Sequence, residues 1–381
     1  MADMDDSDSP RAELADTFDL TADPLRAVEE QFSQTSVDPF EVFIETVLSP
    51  RELAPATLNH FAFVFDEWRS HMQQMERHPA CPAVEHVEAY ITSQRASPEN
   101  GGKGNTPRTV KEKLRKLNRA YRYWQQDPVF PHEEGYNPFS LARQRVPLSV
   151  TKTKEHRKIP LAELREMVSS VTNLRARAII LFQLKLGLRA GEVANLRLGD
   201  FRLSDADSTT WYPCIGTHSA LDTHRDVVYI PSRDERDGNK SVRPRLLPLD
   251  SEIRSVLDRY LFVRPNNGKP WLFLSKKSHT QMTTKGVNQI WKDAFHPKYA
   301  ATDEHRPVTS HFGRHRFTTF WRVEQDVNRQ LVKYMRGDRT GSFTRSHGLD
   351  AYLHAYYEDI EELYRSRVYT LVESPQESNP T

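Results

Sequence analysis

The chain has 381 residues, enough for two domains with separate cores. Its apolar share of 37% and charged share of 28% predict an ordered, soluble protein, and no apolar run nears the ~20 residues of a membrane helix. The net charge of +1 hides an asymmetry: residues 1–50 hold 13 acidic and two basic side chains, leaving +12 on the remainder.

Cys81 and Cys214 are too few and too far apart for a disulfide framework or a cysteine metal site, and the acidic N-terminus is unlike a signal peptide. A cytoplasmic protein is expected. Residues 1–35, rich in Ser and Asp, read as a disordered tail. Helical patterning then covers Pro39–Val47, Pro55–Met72 and Val84–Gln94, and the Gly-rich loop Ser97–Asn105 breaks it. The next helix has Thr106 as N-cap and Pro107 at its first position. Val110, Leu114, Leu117, Tyr121 and Trp124 form one apolar stripe along it. Arg108, Lys111, Lys113, Arg115, Lys116, Arg119 and Arg122 surround that stripe, and segment 101–158 carries 14 Lys/Arg against five Asp/Glu. Such a face suits an anionic polymer, and these seven residues are the candidate DNA contacts. An all-helical domain is expected over 36–145, followed by a basic linker, 146–158.

From residue 159 to 372 the pattern is mixed. Pro160–Val171 and Leu174–Leu186 read as helices, and Asp226–Ile230 and Arg243–Leu249 as strands of a hairpin around the polar turn Arg233–Lys240. Helical patterns return at Ser251–Leu261, Thr284–Phe295, Ser310–Val323, Val327–Met335 and Asp350–Leu371, and residues 373–381 read as a second disordered tail. No phosphate-binding Gly-Lys-Ser/Thr loop and no metal-ligand spacing occurs, so neither cofactor nor metal is expected. Asp205 and Asp207 read as a polar loop.

The chemistry-bearing residues lie late in the chain. Arg189 follows an apolar helix, and His311 and Arg314, 122 and 125 residues further on, share one helical face. Two arginines can grip one phosphate through paired N–H donors, and a tyrosine from the group Tyr352, Tyr356 and Tyr357 can attack it. Glu192, three residues after Arg189, is placed to orient it. This set points to phosphoryl transfer on a nucleic-acid backbone.

The segments Gly187–Asp200 (GLRAGEVANLRLGD) and His311–Arg314, with Tyr352-Leu353-His354 after them, resemble the two arginine boxes and the Tyr-x-His ending of the tyrosine recombinases of the phage-integrase family. The resemblance implies a two-domain DNA clamp: an all-α, SAM-like core-binding domain, then a mixed α+β catalytic domain. It implies Arg189 and Arg314 as phosphate-binding arginines, His311 as base or hydrogen-bond partner, and Tyr352 as nucleophile, with Tyr356 and Tyr357 as alternatives. Counting back from the second strand places the family's lysine at Lys240, which would protonate the departing 5′ oxygen. Lys269, Lys276 and Lys277 are the next candidates. The family's Leu-Gly-His box is here Met335-Arg336-Gly337-Asp338, and an ionised Asp338 cannot donate to phosphate. Asp338 is therefore expected to orient a neighbour such as Arg314 or to be structural.

The implied function is site-specific recombination of double-stranded DNA through a covalent 3′-phosphotyrosine, as a homo-tetramer on paired sites, with the protein nucleoid-associated and the element mobile or viral. An excess of 37 arginines over 16 lysines adds a likeness to archaeal integrases. A type IB topoisomerase-like nicking-closing enzyme and a silent DNA-binding regulator of the same fold are the alternatives. The apolar stripe Ile360, Leu363, Tyr364, Val368 and Leu371 suits either a neighbouring subunit or the chain's own core.

Overall fold

The computed structural model describes residues 10–51, 53–149, 154–204, 208–339 and 349–372. The chain divides into two compact units, Met1–Thr153 and Lys154–Thr381.

The first unit is helical: α1 (Pro10–Thr17), α2 (Glu29–Gln34), α3 (Pro39–Phe43), α4 (Pro55–Gln74), α5 (Val84–Arg95), α6 (Pro107–Gln126) and α7 (Pro138–Arg145). Helix α6 starts where its cap residues place it, with Thr106 Oγ1 accepting the Thr109 amide at 3.2 Å. All five residues of its apolar stripe are buried, beside Phe40, Phe65, Trp68, Tyr90 and Phe139. Indole N–H groups in this core are satisfied by backbone carbonyls: Trp124 donates to Pro39 at 3.1 Å and Trp68 to Pro79 at 2.9 Å.

The expectation of a disordered tail over 1–35 requires correction for residues 10–34, which carry two helices and the buried Leu25. The cause is electrostatic. The Arg77 side chain is buried, and its charge is met by Asp23 at 2.7 Å and Glu29 at 3.0 Å. Part of the acidic excess that reads as a solvated tail is thus the counter-charge of a buried arginine.

The second unit has α8 (Leu161–Ser170), α9 (Leu174–Leu186), α10 (Ala190–Asn195), β1 (Phe201–Arg202), α11 (Ser208–Trp211), β2 (Val227–Ile230), β3 (Arg245–Pro248), α12 (Ser251–Val263), α13 (Thr284–Phe295), α14 (Ser310–Thr319), α15 (Arg329–Arg336) and α16 (Leu349–Arg367). Helix α9 is its axis. Every residue from Ala178 to Leu186 is buried, and α8, α10, α12, α13 and α14 all pack on it. The strands form an antiparallel sheet in the order β1-β2-β3, with Val228 opposite both Phe201 and Leu247. The two-residue β1 is too short to stand out in a sequence pattern.

Residues 154–158, expected within the linker, belong to this unit. Glu155 bridges His305, and the Glu155 amide donates to the Glu304 carbonyl at 2.7 Å. The C-terminal stripe is settled in favour of the chain's own core. Ile360, Tyr364 and Leu371 are buried there, and Tyr364 Oη donates to the Lys185 carbonyl at 3.0 Å. The expected tail, 373–381, lies outside the described residues.

Candidate active site

Helix α9 ends at Gly187, whose φ of +65° is a left-handed C-cap. A side chain there would also strike the Phe317 ring of α14, 2.6 Å from the nearest Cβ position. The turn delivers Arg189 to the N-cap position of α10, where its amide donates to Glu192 Oε2 at 2.8 Å. Glu192 is fully buried and accepts from Arg189 Nη1 at 3.1 Å and from Arg245 Nη2 at 3.0 Å. The Ser241 hydroxyl also donates to it. Burial alone would raise its pKa, but Arg245, Arg314 and Arg189 together hold the carboxyl down at about 2.

Arg314 projects from α14 and is 3% exposed. Its Nη1 donates to the carbonyls of Gly187 and Arg336, both at 2.8 Å, which fixes the guanidinium against the ends of α9 and α15. Its Nη2 donates to Asp338 Oδ1 at 2.8 Å, and Arg189 Nη2 reaches the same oxygen at 2.7 Å. The outer nitrogens of both arginines therefore meet at one anionic atom. Arg336 approaches the other carboxylate oxygen, with Nε 3.1 Å from Oδ2. Burial, more than the neighbouring cations, pushes the Arg314 pKa down to about 9, and it remains charged at neutral pH.

His311 lies one turn before Arg314, its ring perpendicular to that of His315 at 4.5 Å. His156, from residues leading into α8, lies against His315 at 4.0 Å. His311 is an exposed residue, and desolvation of its covered part first and then Arg314 lower its pKa. Lys240 is exposed in the β2–β3 turn, next in the chain to Ser241. Tyr352 falls near the start of α16, and its side chain lies outside the described residues, as do Asp205 and Asp207. Tyr356 is half-buried and stacked on Tyr334 at 4.9 Å. Tyr357 is buried among Leu221, Val227, Tyr229 and Leu246, and its hydroxyl donates to Glu361 at 3.2 Å. Burial raises its pKa further.

Of the seven cations proposed on α6, Arg108, Lys111, Arg115 and Arg122 are exposed and Arg119 is half-exposed. The reading fails for two. Lys113 is buried, donating to Glu67 at 2.6 Å and Gln94 at 2.7 Å, and buried Lys116 lies 5.4 Å over the Phe61 ring. The periodicity places both beside the apolar stripe, where Lys stems are drawn in. Sequence reasoning also passed over Arg245, Ser241, Arg336, His315 and His156. Among the described residues no group of His, Cys, Asp or Glu is arranged to hold a metal ion, and no helix is long and apolar enough to cross a membrane.

A family model described as the phage integrase family matches residues 157–357. The tyrosine recombinase XerD of Caulobacter vibrioides is 23% identical over 290 residues, covering 73% of this chain and 81% of that protein. The tyrosine recombinase XerA of Pyrococcus horikoshii is 24% identical over 207 residues, 54% of this chain and 59% of that one. Among solved structures, a lambda integrase dimer bound to a core site superposes with a TM-score of 0.55 at 12% identity, covering 88% of this chain and 98% of that one. The Tn1549 transposon integrase in complex with a circular intermediate DNA gives 0.54 at 14% identity, covering 86% and 100%. The chain belongs to the phage integrase family and is an enzyme, a tyrosine recombinase.

Proposed function

We propose that this recombinase cuts and rejoins double-stranded DNA at specific sites through a tyrosine ester of the 3′ phosphate, acting on paired sites as a homo-tetramer. The observation that carries the reading is the convergence of Arg189 Nη2 and Arg314 Nη2 on one anionic oxygen. Each of these nitrogens bears a second hydrogen, so one can stay on Asp338 while the other turns to a phosphate oxygen. Asp338 then orients both arginines and makes no contact with the phosphate itself.

In the cleavage step the Tyr352 hydroxyl oxygen bonds to phosphorus and the bond to the 5′ oxygen breaks. The tyrosine proton goes to His311 or through it to water, because a phenol of ordinary pKa ~10 is protonated at neutral pH. Lys240 supplies the proton taken by the departing oxygen. Charge on the non-bridging oxygens is met by Arg189 and Arg314, and losing one such donor typically costs ~3–4 kcal/mol, about a hundred- to thousand-fold in rate. The 5′ hydroxyl of a partner strand then attacks the phosphotyrosine, restoring the tyrosine and a phosphodiester. The burial of Tyr357 and the stacking of Tyr356 support Tyr352 as the nucleophile.

The test is a covalent trap. A pool of randomised duplexes with single nicks is incubated with the protein and denatured in detergent, and DNA-bearing protein is recovered. The reading predicts adducts enriched in one sequence; no adduct with any duplex would refute it.

A further inference from the structure

We infer that Arg336 is a third phosphate-gripping cation of this site, supplying the donor that the carboxylate of Asp338 cannot. The inference rests on the recombinase reading above and adds a catalytic residue to it. The Arg336 carbonyl already sits at the centre of the cluster, accepting from Arg314 Nη1 at 2.8 Å and from Arg189 Nη1 at 3.4 Å. Its side chain turns to the same carboxylate, so three guanidinium groups surround Asp338: two on Oδ1 and Arg336 Nε 3.1 Å from Oδ2.

That third guanidinium is incompletely engaged. It is partly buried, its side chain 29% exposed, and Nε is buried yet unaligned for a hydrogen bond. Among the described residues its terminal nitrogens carry no hydrogen bond either. An arginine has five N–H donors, and those at the tip of this part-exposed side chain can take a further acceptor. The charge count agrees. Among the described residues, Arg189, Arg245, Arg314 and Arg336 pair with the carboxylates of Glu192 and Asp338 alone, a surplus of positive charge concentrated where Arg189 and Arg314 already converge. A phosphodiester would meet that surplus and those donors together.

The backbone is built for the placement. Gly337 has φ +65°, and a Cβ there would lie 2.4 Å from both Arg245 Nη1 and Ser241 Oγ. Only glycine makes this turn, which brings Arg336 and Asp338 onto the arginines from either side of it. A solely structural arginine pairing with Asp338 would be redundant, since Asp338 is already held by two.

The experiment compares Arg336→Ala with the unaltered protein on the duplex recovered by the covalent trap. The duplex carries either the ordinary phosphodiester or a neutral methylphosphonate at the scissile position. Truncation leaves the Arg336 carbonyl, and so the anchor of Arg314, in place. Adduct formation on the phosphodiester should slow about 100-fold, the usual effect of removing one preorganised donor. On the methylphosphonate, where the charge is already gone, the defect should shrink at least about tenfold. Arg336→Gln, which keeps the side-chain bulk, should repeat the pattern and takes over the comparison if the alanine variant melts early. Equal defects on both substrates, or none on the phosphodiester, overturn the proposal while the adduct of the unaltered protein leaves the recombinase reading standing. Absence of any adduct from the unaltered protein overturns both.

Discussion

Glu192 has almost no exposed surface, and its charge is kept by the guanidinium groups around it. Removing one partner of a buried ion pair typically costs about 3–5 kcal/mol, because the remaining charges lose their match. Glu192→Ala should therefore lower the stability of the second unit by that order, measured by denaturant unfolding. The pH dependence has a definite sign. Folding lowers the Glu192 pKa from an ordinary 4.5 to about 2, so its stabilisation is full above pH 4.5 and is lost as pH falls towards 2. The unaltered protein should lose stability across that window, and the alanine variant should lose less. His311 gives a second test. Its pKa lies below the ordinary 6.5, so the neutral ring persists in mild acid and the acid limb of the cleavage rate should fall below pH 6.5. His311→Gln should remove that limb; a limb at or above pH 6.5 would contradict the assignment.

At the scale of single elements, α6 divides into two functions that its charge pattern does not separate. Neutralising Arg108, Lys111, Arg115 and Arg122 together should weaken DNA binding and reduce the salt slope by up to about 0.9 per lost phosphate contact, without changing the melting temperature. Lys113→Ala should do the reverse, destabilising the helical unit by leaving Glu67 and Gln94 without their buried partner. An unchanged salt slope in the fourfold variant would remove α6 from the DNA-contacting surface. The helix itself was legible because Thr106, Pro107 and the apolar stripe all point to the same boundaries. Helices α9 and α13 were equally clear, the first from the apolar run Ala178–Phe182 and the second from its apolar stripe. Burial of individual cations was not legible, since periodicity locates a face and says nothing of a carboxylate such as Glu67 arriving from α4.

Across the whole molecule, the residues that bear the chemistry come from separate elements: Arg189 from the start of α10, Arg245 from β3, Arg314 from α14 and Arg336 from the end of α15. The box motifs mark Arg189, His311 and Arg314 because their neighbours are distinctive. Arg245 and Ser241 had no such signal, since a strand arginine and a turn serine become site residues only when Glu192 is buried between them. The acidic N-terminal region misled for a related reason, because its match to Arg77 is long-range. The most direct test of the account joins these elements to DNA at a single atom. The trapped adduct, digested with protease and nuclease and read by mass spectrometry, should carry a 3′-linked phosphoryl nucleotide on the peptide containing Tyr352, and Tyr352→Phe should yield none. A 5′ linkage, or the same adduct persisting in the Tyr352→Phe protein on Tyr356 or Tyr357, would contradict it.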